Sequence, residues 1–322
     1  MDEALPRRTI TDTHDFAPYV RILGRGPGKS RSLTRTEARH ALGMVLRGEA
    51  TREQIGAMLM LLRYRGEAVD EMAGLVEAAR EHAGLPRRFA QPVDLDWPSY
   101  ADGRTRGLPW YLLSALLLAR AGLRVLMHGP LRGPGRAPLV ESLRLLGSEP
   151  GQEALDTTGF AFAPLETLNP ALADLLALRG VLGLRSPLNT VGRLLNPAGA
   201  RGGVDGVFHP AYIAVHVGTA GLLGRNVSVL KGGGGEAEWS GVKPLVVTTS
   251  AGEQTWPALE TAGKPDSTTP AELAAVWKRE RADPGGEATV VATAAVALQA
   301  AGRGPHPTAC LEQAHTMWAE RP

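Results

Sequence analysis

The sequence predicts an α/β protein in which a small helical domain precedes a larger domain built on a mainly parallel sheet. Three observations predict it. Residues 19–90 hold three well-punctuated amphipathic helices and no strand pattern. From Pro92 onward, short β-rich runs alternate with helical runs, as in strand–helix–strand units. At 322 residues, the chain is long enough for one or two domains with a large core.

In chain order, residues 1–18 read as a polar, loosely docked tail. The run from Arg21 to Ser32 suggests a phosphate-binding glycine loop, but the glycine needed five before Gly28 is Leu23 and no strand precedes it. It reads instead as a basic turn between short helices. Its cations Arg21, Arg25, Lys29, Arg31, Arg35 and Arg39 read as a solvated face, with phosphate contact as the alternative. Thr34 to Glu37 is a capping box opening a helix that Gly48 closes; Thr51 to Gln54 is a second, with Ile55, Met58, Leu59 and Leu62 on one face. Ala68 to His82 is the third helix, stopped by Gly84 and Pro86. Met44, Met58, Met60 and Met72 suit core filling or a helix–helix interface.

In the α/β part, strands are expected at Val93–Trp97, Arg124–His128, Asn226–Leu230 and Leu245–Thr249. Helices are expected at Pro109–Ala121, Ala137–Leu146, Pro210–Leu223, Pro270–Arg281, Ala288–Ala301 and Thr308–Glu320. Ligands of such a sheet collect at the carboxyl ends of its strands. The central stretch, Asn169 to Pro197, places Leu172, Leu175, Leu176 and Leu182 on one helix from Pro170, with Arg179 on the same apolar face. A guanidinium there needs a carboxylate, backbone carbonyls or an anionic ligand. Gly183 ends that helix. Ser186 as N-cap with Pro187 in the first turn starts another, so Arg185 sits beside free N–H groups that favour anions. Asn196-Pro197 stops it, and Arg193 and Arg201 follow. The competing accounts are a core helix pair with solvated arginines, or a buried salt bridge to Asp174 or Glu166.

Composition narrows the function classes. A formal net charge of +2 means that any nucleic-acid role rests on a local patch. The cations are overwhelmingly arginine, which suits phosphate and also fits a GC-rich coding bias. Cys310 is alone, which excludes a disulfide framework and a cysteine metal cluster and fits a reducing compartment. The longest apolar run, Trp110 to Ala119, is too short to cross a bilayer and no leader pattern opens the sequence. A soluble, cytoplasmic protein with no membrane partner is expected.

Arg179, Leu182-Gly183-Leu184-Arg185 and the run Asn189 to Pro197 resemble the central signature of the anthranilate phosphoribosyltransferases, of glycosyltransferase family 3. The resemblance covers roughly residues 19–320. It implies the nucleoside-phosphorylase type III-like fold, with residues 165–197 joining the helical domain of residues 19–90 and residues 91–322 forming the α/β domain. An enzyme of this kind holds a diphosphate, magnesium and a flat acceptor. The chain departs from the family at each place. The first glycine loop is replaced by Trp97-Pro98-Ser99-Tyr100-Ala101-Asp102-Gly103-Arg104. Met127-His128-Gly129-Pro130 lacks the family's lysine and asparagine. After Lys231 and the glycines 232–235, Glu238 with Glu236 is left of the magnesium carboxylates, Ala237 taking the aspartate position. The glycine run reads as an anion nest or an exposed loop. Asn169 and Asp174 stand where the enzymes use histidines.

The segment Pro98-Ser99-Tyr100 followed by Gly103-Arg104, and His209-Pro210-Ala211-Tyr212, resemble the divergent YbiB-type branch, phosphoribosyltransferase-like homodimers that bind nucleic acid without evident sequence preference. That resemblance implies sequence-independent nucleic-acid (DNA) binding in a basic groove, with no catalytic residue and no cofactor. Arg104, Arg106, Arg132, Arg136, Arg179, Arg185, Arg193, Arg201 and Lys231 are expected to converge on one cleft, beside a vestigial substrate site of His128, Gly129, Gly233, Gly234 and Glu238. It also implies a homodimer through the helical domain. The alternative is a phosphoribosyltransferase with an altered substrate, with Glu238 or Glu236 holding magnesium. A third reading is a scaffold that assembles through its helical domain. His128 reads as a catalytic base or as a strand-end histidine bonded to a carbonyl. Trp97, Tyr100, Trp110 and Tyr111 read as base-stacking or core aromatics.

Overall fold

Capping boxes open the helical part as the sequence predicts. In the computed structural model, which describes residues 14–86, 89, 92–101, 107–133, 135–151 and 154–321, the first helices are α1 (Ala17–Gly24), α2 (Arg35–Leu46), α3 (Arg52–Arg65) and α4 (Val69–His82). Thr34 and Glu37 cap α2 reciprocally, and Thr51 and Gln54 do the same for α3. The buried Glu71 carboxylate accepts the Ala68 N–H at 2.9 Å and the Leu33 N–H at 2.6 Å, so one side chain starts α4 and anchors the approach to α2. Half of the six cations in the basic run are paired on this surface: Arg31 with Glu37, Arg35 with Glu77 and Arg39 with Glu81.

The chain continues through β1 (Leu95–Pro98), α5 (Trp110–Arg120), β2 (Val125–Gly129), α6 (Ala137–Leu145), α7 (Ala154–Thr158) and β3 (Phe160–Pro164). The short helices α8 (Leu165–Leu168), α9 (Pro170–Ala177), α10 (Arg179–Leu182) and α11 (Leu188–Arg193) follow. After them come β4 (Gly202–Val207), α12 (Ile213–Leu222), β5 (Asn226–Lys231), β6 (Leu245–Thr249), β7 (Gly252–Trp256), α13 (Pro270–Trp277), α14 (Pro284–Ala300) and α15 (Pro307–Ala319). The strands form one sheet in the order β3-β2-β1-β4-β5-β6-β7. The first five are parallel and the last two antiparallel. From β1 the chain builds outward through β2 and β3, then returns to add β4 on the other side. This reversal opens a crevice beyond the carboxyl ends of the strands, where α/β sheets bind ligands.

Two apolar layers sandwich the sheet. One packs α5, α14 and α15 against it through Trp97, Trp110, Val290 and Trp318. The other joins α2–α4 and α8–α11 to the opposite face through Leu42, Met58, Leu172, Leu188, Val191 and Val229. Among the described residues, no helix is long and apolar enough to cross a membrane.

The central helices differ in detail from their sequence pattern. The helix from Pro170 divides at Leu178 into α9 and α10. Asn169 accepts the Leu172 N–H and donates to the Ala79 carbonyl, both at 3.0 Å, tying α9 to α4. The next helix begins at Leu188 with Pro187 as its cap residue, so Ser186 does not cap it. Asn196 takes a left-handed φ of 42° and locks the exit by reciprocal bonds to Ala200.

Strands β3, β4 and β7 are not anticipated by the sequence pattern. In β4, GGVDGV, the reason is physical. A Cβ on Gly202 would lie 2.4 Å from the Ala300 carbonyl oxygen, on Gly203 1.8 Å from the Arg225 guanidinium, and on Gly206 2.1 Å from the Glu236 carbonyl carbon. Tertiary contacts therefore impose glycine on a central strand and erase its β-propensity signal. Gly203→Ala should destabilise the protein by about 3 kcal/mol in urea unfolding, because it displaces a buried guanidinium. Gly56→Ala, in open space within α3, should raise stability by roughly 0.5–1 kcal/mol.

Candidate nucleic-acid interface

A cleft of about 540 Å³ lies where the carboxyl ends of β4 and β5 face the helical part. Val207, Phe208 and His209 enter it from the end of β4, Tyr212 and His216 from the turn and helix that follow, and Gly234 from the glycine loop. Arg63 and Glu67 line it from the α3–α4 junction. The central stretch supplies Arg179, Arg185, Asn189, Thr190 and Arg193. Lys231 is exposed and pairs in register with Val207, placing it at the same end of the sheet. The cleft is thus strongly basic, with Glu67 as its one carboxylate. Burial pushes the Glu67 carboxyl above its usual range, against the opposing pull of Arg63.

Three of the expected groove arginines are placed differently. Arg136 is buried; it donates to the Pro130 carbonyl at 2.7 Å and the Ser99 hydroxyl at 3.2 Å, and lies 3.5 Å from Glu236. It braces the interior and cannot reach a nucleic acid. Arg193 is also buried and donates to the carbonyls of Gly206 at 2.6 Å and Gly235 at 2.7 Å. It forms a wall of the cleft by fastening the glycine loop to β4, and burial draws its pKa below the usual arginine value. Arg201 precedes β4, whose six residues carry the chain roughly 20 Å to the cleft. It is exposed at the amino end of the strands, opposite the cleft. Arg104 and Arg106 lie outside the described residues, and Arg132 is exposed in the loop after β2.

The residues expected at a vestigial substrate site bond to the protein's own groups. The N–H groups of Gly232, Gly233, Gly235 and Glu236 donate to backbone carbonyls. Gly234 sits at a φ of 64°. Gly129 is required by close approach, since a Cβ would lie 2.0 Å from the Ser99 carbonyl oxygen. Glu236 accepts the Ala101 N–H at 2.8 Å and the Ser99 hydroxyl at 3.1 Å, while Glu238 accepts the Tyr111 N–H at 3.1 Å as α5 begins. Both carboxylates accept from protein donors, and Glu236 Oε1 also faces Arg136 while its Oε2 has no hydrogen-bond partner. Among the described residues, no group of three His, Cys, Asp or Glu is placed to hold a metal ion.

His128 is not bonded to a carbonyl. Its Nδ1 bonds to the Tyr100 hydroxyl at 3.0 Å and its Nε2 lies 3.2 Å from Asp96. Asp96 continues to Arg225 at 2.8 Å, Arg225 to Asp205 at 3.2 Å, and Asp205 to Nδ1 of His216 at 3.1 Å. The Asp96 contacts are close approaches, not aligned hydrogen bonds. This buried chain runs along the sheet from His128 to the cleft. Burial raises the Asp205 pKa, but Arg225 and His216 outweigh it and hold the carboxyl below its usual range. Burial also pushes the Tyr100 phenol well above its usual value. Trp97, Tyr100, Trp110 and Tyr111 are core aromatics, whereas Phe208 is 55% exposed at the cleft.

The sequence pattern pointed to Arg179, Arg185 and Lys231, and the structure brings them to one end of the sheet. It did not point to Arg63, Glu67 or His216, nor to Asp96, Asp205 and Arg225 behind them. Acidic residues inside the strands LDWP and GGVDGV were the available signal.

A glycosyl transferase family helical bundle domain matches residues 17–83. The anthranilate phosphoribosyltransferase of Beijerinckia indica is 31% identical over 240 residues, covering 72% of this chain and 68% of that enzyme. This chain therefore belongs to the anthranilate phosphoribosyltransferase superfamily. The uncharacterized protein YbiB of Escherichia coli is 31% identical, with 62% of this chain and 65% of YbiB aligned. For the Methylobacterium nodulans enzyme, at 33% identity, the aligned part is 60% of this chain and 57% of the enzyme. Both of these alignments cover less than two thirds of the relative's length. The crystal structure of the Thermus thermophilus anthranilate phosphoribosyltransferase superposes with a TM-score of 0.78 at 26% identity over 95% of each chain. The Saccharomyces cerevisiae enzyme, in a complex with PRPP and Mg, shares the fold at a TM-score of 0.70 and 17% identity over 94% of each chain.

The buried chain of charges makes a pH-dependent prediction. The Asp205 carboxyl has a lowered pKa when folded, so its contribution to stability is full above its unfolded value and is lost as pH falls through the folded one. Asp205→Asn should cost about 3 kcal/mol at neutral pH in denaturant unfolding, and the gap to wild type should narrow below about pH 4.

Proposed function

We propose that this protein binds nucleic acid without sequence preference, through the basic cleft of a phosphoribosyltransferase scaffold whose diphosphate and magnesium end is closed. The observation that carries this reading is the interior ion pair of Arg136 with Glu236, beside a cleft that keeps Arg63, Arg179 and Arg185. At the closed end, a guanidinium takes up the carboxylate that magnesium would need. At the open end, guanidinium groups suit phosphate oxygens through paired N–H donors. No residue is assigned a catalytic role. A homodimer through the helical domain, in a cytoplasmic setting, belongs to the same proposal; Tyr64 on α3 is 91% exposed and offers apolar surface for it.

A second reading, phosphoribosyl transfer to an altered acceptor, draws on the cleft volume of about 540 Å³, within the range of small-molecule pockets. Product formation from phosphoribosyl diphosphate and candidate acceptors, followed by mass spectrometry with magnesium present, tests it directly. In the leading reading no product forms.

Fluorescence anisotropy of labelled oligonucleotides at several salt concentrations tests the main proposal. Binding should fall with salt at a slope of about −0.7 per phosphate neutralised on single strands and about −0.9 on duplex DNA. Arg179→Ala/Arg185→Ala should weaken every sequence alike and reduce that slope by about 1–2. Absence of binding at low salt would refute it.

A further inference from the structure

We infer that the cleft reads a ribonucleotide unit, with His216 accepting a hydrogen bond from a ribose hydroxyl while the arginines hold the adjoining phosphate. This rests on the proposed binding of nucleic acid at the same cleft and names the chemistry that it selects.

The inference comes from the donors and acceptors that line the cavity. Arg63, Arg179 and Arg185 can only donate, and a phosphate can only accept, so these groups match one another. His216 is left over in that match. It is 1% exposed, yet it lines the cavity. Its Nδ1 lies 3.1 Å from Asp205, a carboxylate that is itself held by Arg225. An ionised carboxylate only accepts, so Nδ1 points a proton at Asp205; in the tautomer fixed this way, Nε2 is the ring's acceptor. Glu67, almost as deeply buried, adds a second oxygen acceptor to the wall. A ligand made only of phosphate would offer Nε2 of His216 no donor, whereas Glu67 already faces Arg63. A buried acceptor left without a partner is costly.

A ribonucleotide supplies what is missing. Its 2′-hydroxyl stands on the carbon next to the one that carries the 3′-phosphate, so a donor arrives beside the anion. The 2′-hydroxyl is also the group by which a protein distinguishes RNA from DNA. Deoxyribose offers no donor there. The Asp205–His216 pair thus acts as a binding element: Asp205 sets the tautomer of His216 and fixes its ring.

The test compares short single-stranded RNA and DNA of matched sequence by anisotropy, and adenosine 3′-monophosphate (AMP) with its 2′-deoxy form (dAMP) by calorimetry. Wild type should prefer the ribose form by about 3–10-fold, the worth of one hydrogen bond. His216→Gln should bring the ratio close to one with the deoxy affinity kept, whereas Arg179→Ala should weaken both sugars and keep the ratio. A merely structural role for His216 would lower both affinities together. A preference in AMP and in RNA assigns recognition to the free unit; a preference in RNA alone assigns it to the strand. Equal wild-type affinity for ribose and deoxyribose probes overturns the inference and leaves nucleic-acid binding standing. No binding of any probe overturns both, and the wild-type comparison decides even if a variant fails to fold.

Discussion

Arg225 is the pivot of the structure. It is buried at the start of β5 and bridges Asp96 of β1 and Asp205 of β4. A charge at that depth is tolerable only when it is paired. The pairing has consequences on both sides. Gly203 must lack a side chain so that the guanidinium can pass over β4. At one end Asp96 meets His128, which meets Tyr100; at the other, Asp205 meets His216 in the cleft. Nearby Arg80 joins the same electrostatic field. Burial, then the charge of Arg225, pulls its pKa down to about 10, and it donates to the Leu195 carbonyl beyond α11.

The chain belongs to the anthranilate phosphoribosyltransferase superfamily, and its interior carboxylates and glycine loop bond to the protein's own groups. Glu236 binds the end of β1 and faces Arg136, Glu238 accepts the Tyr111 N–H, and the glycine loop spends its N–H groups on carbonyls. Basic side chains around the remaining cleft fit phosphate recognition without a metal, and the two functional proposals share this physical footing.

The helical part was legible because capping boxes and apolar periodicity are local. Thr34, Thr51 and the apolar faces that follow act within a few residues of themselves. The strand order was implied only by resemblance, and β4 escaped notice because its glycines answer to Ala300, Arg225 and Glu236, far away in sequence. The arginines divide in the same way. Arg179 and Arg185 sit at helix boundaries that sequence spacing reveals, whereas nothing local separates Arg136 and Arg193, bound to interior acceptors, from Lys231 at the surface.

By itself, the sequence determined the helical part, the alternation of strands and helices, the family signature between Asn169 and Pro197, and the loss of the enzymes' diphosphate and magnesium motifs. Only the tertiary structure decided which charges face inward, that Arg201 lies at the end of the strands away from the cleft, and that His216 reaches the cleft with Asp205 behind it. The physical reason is range. Caps and periodic faces are set by neighbours in the chain, whereas the partner of a buried charge is chosen by which strands lie side by side.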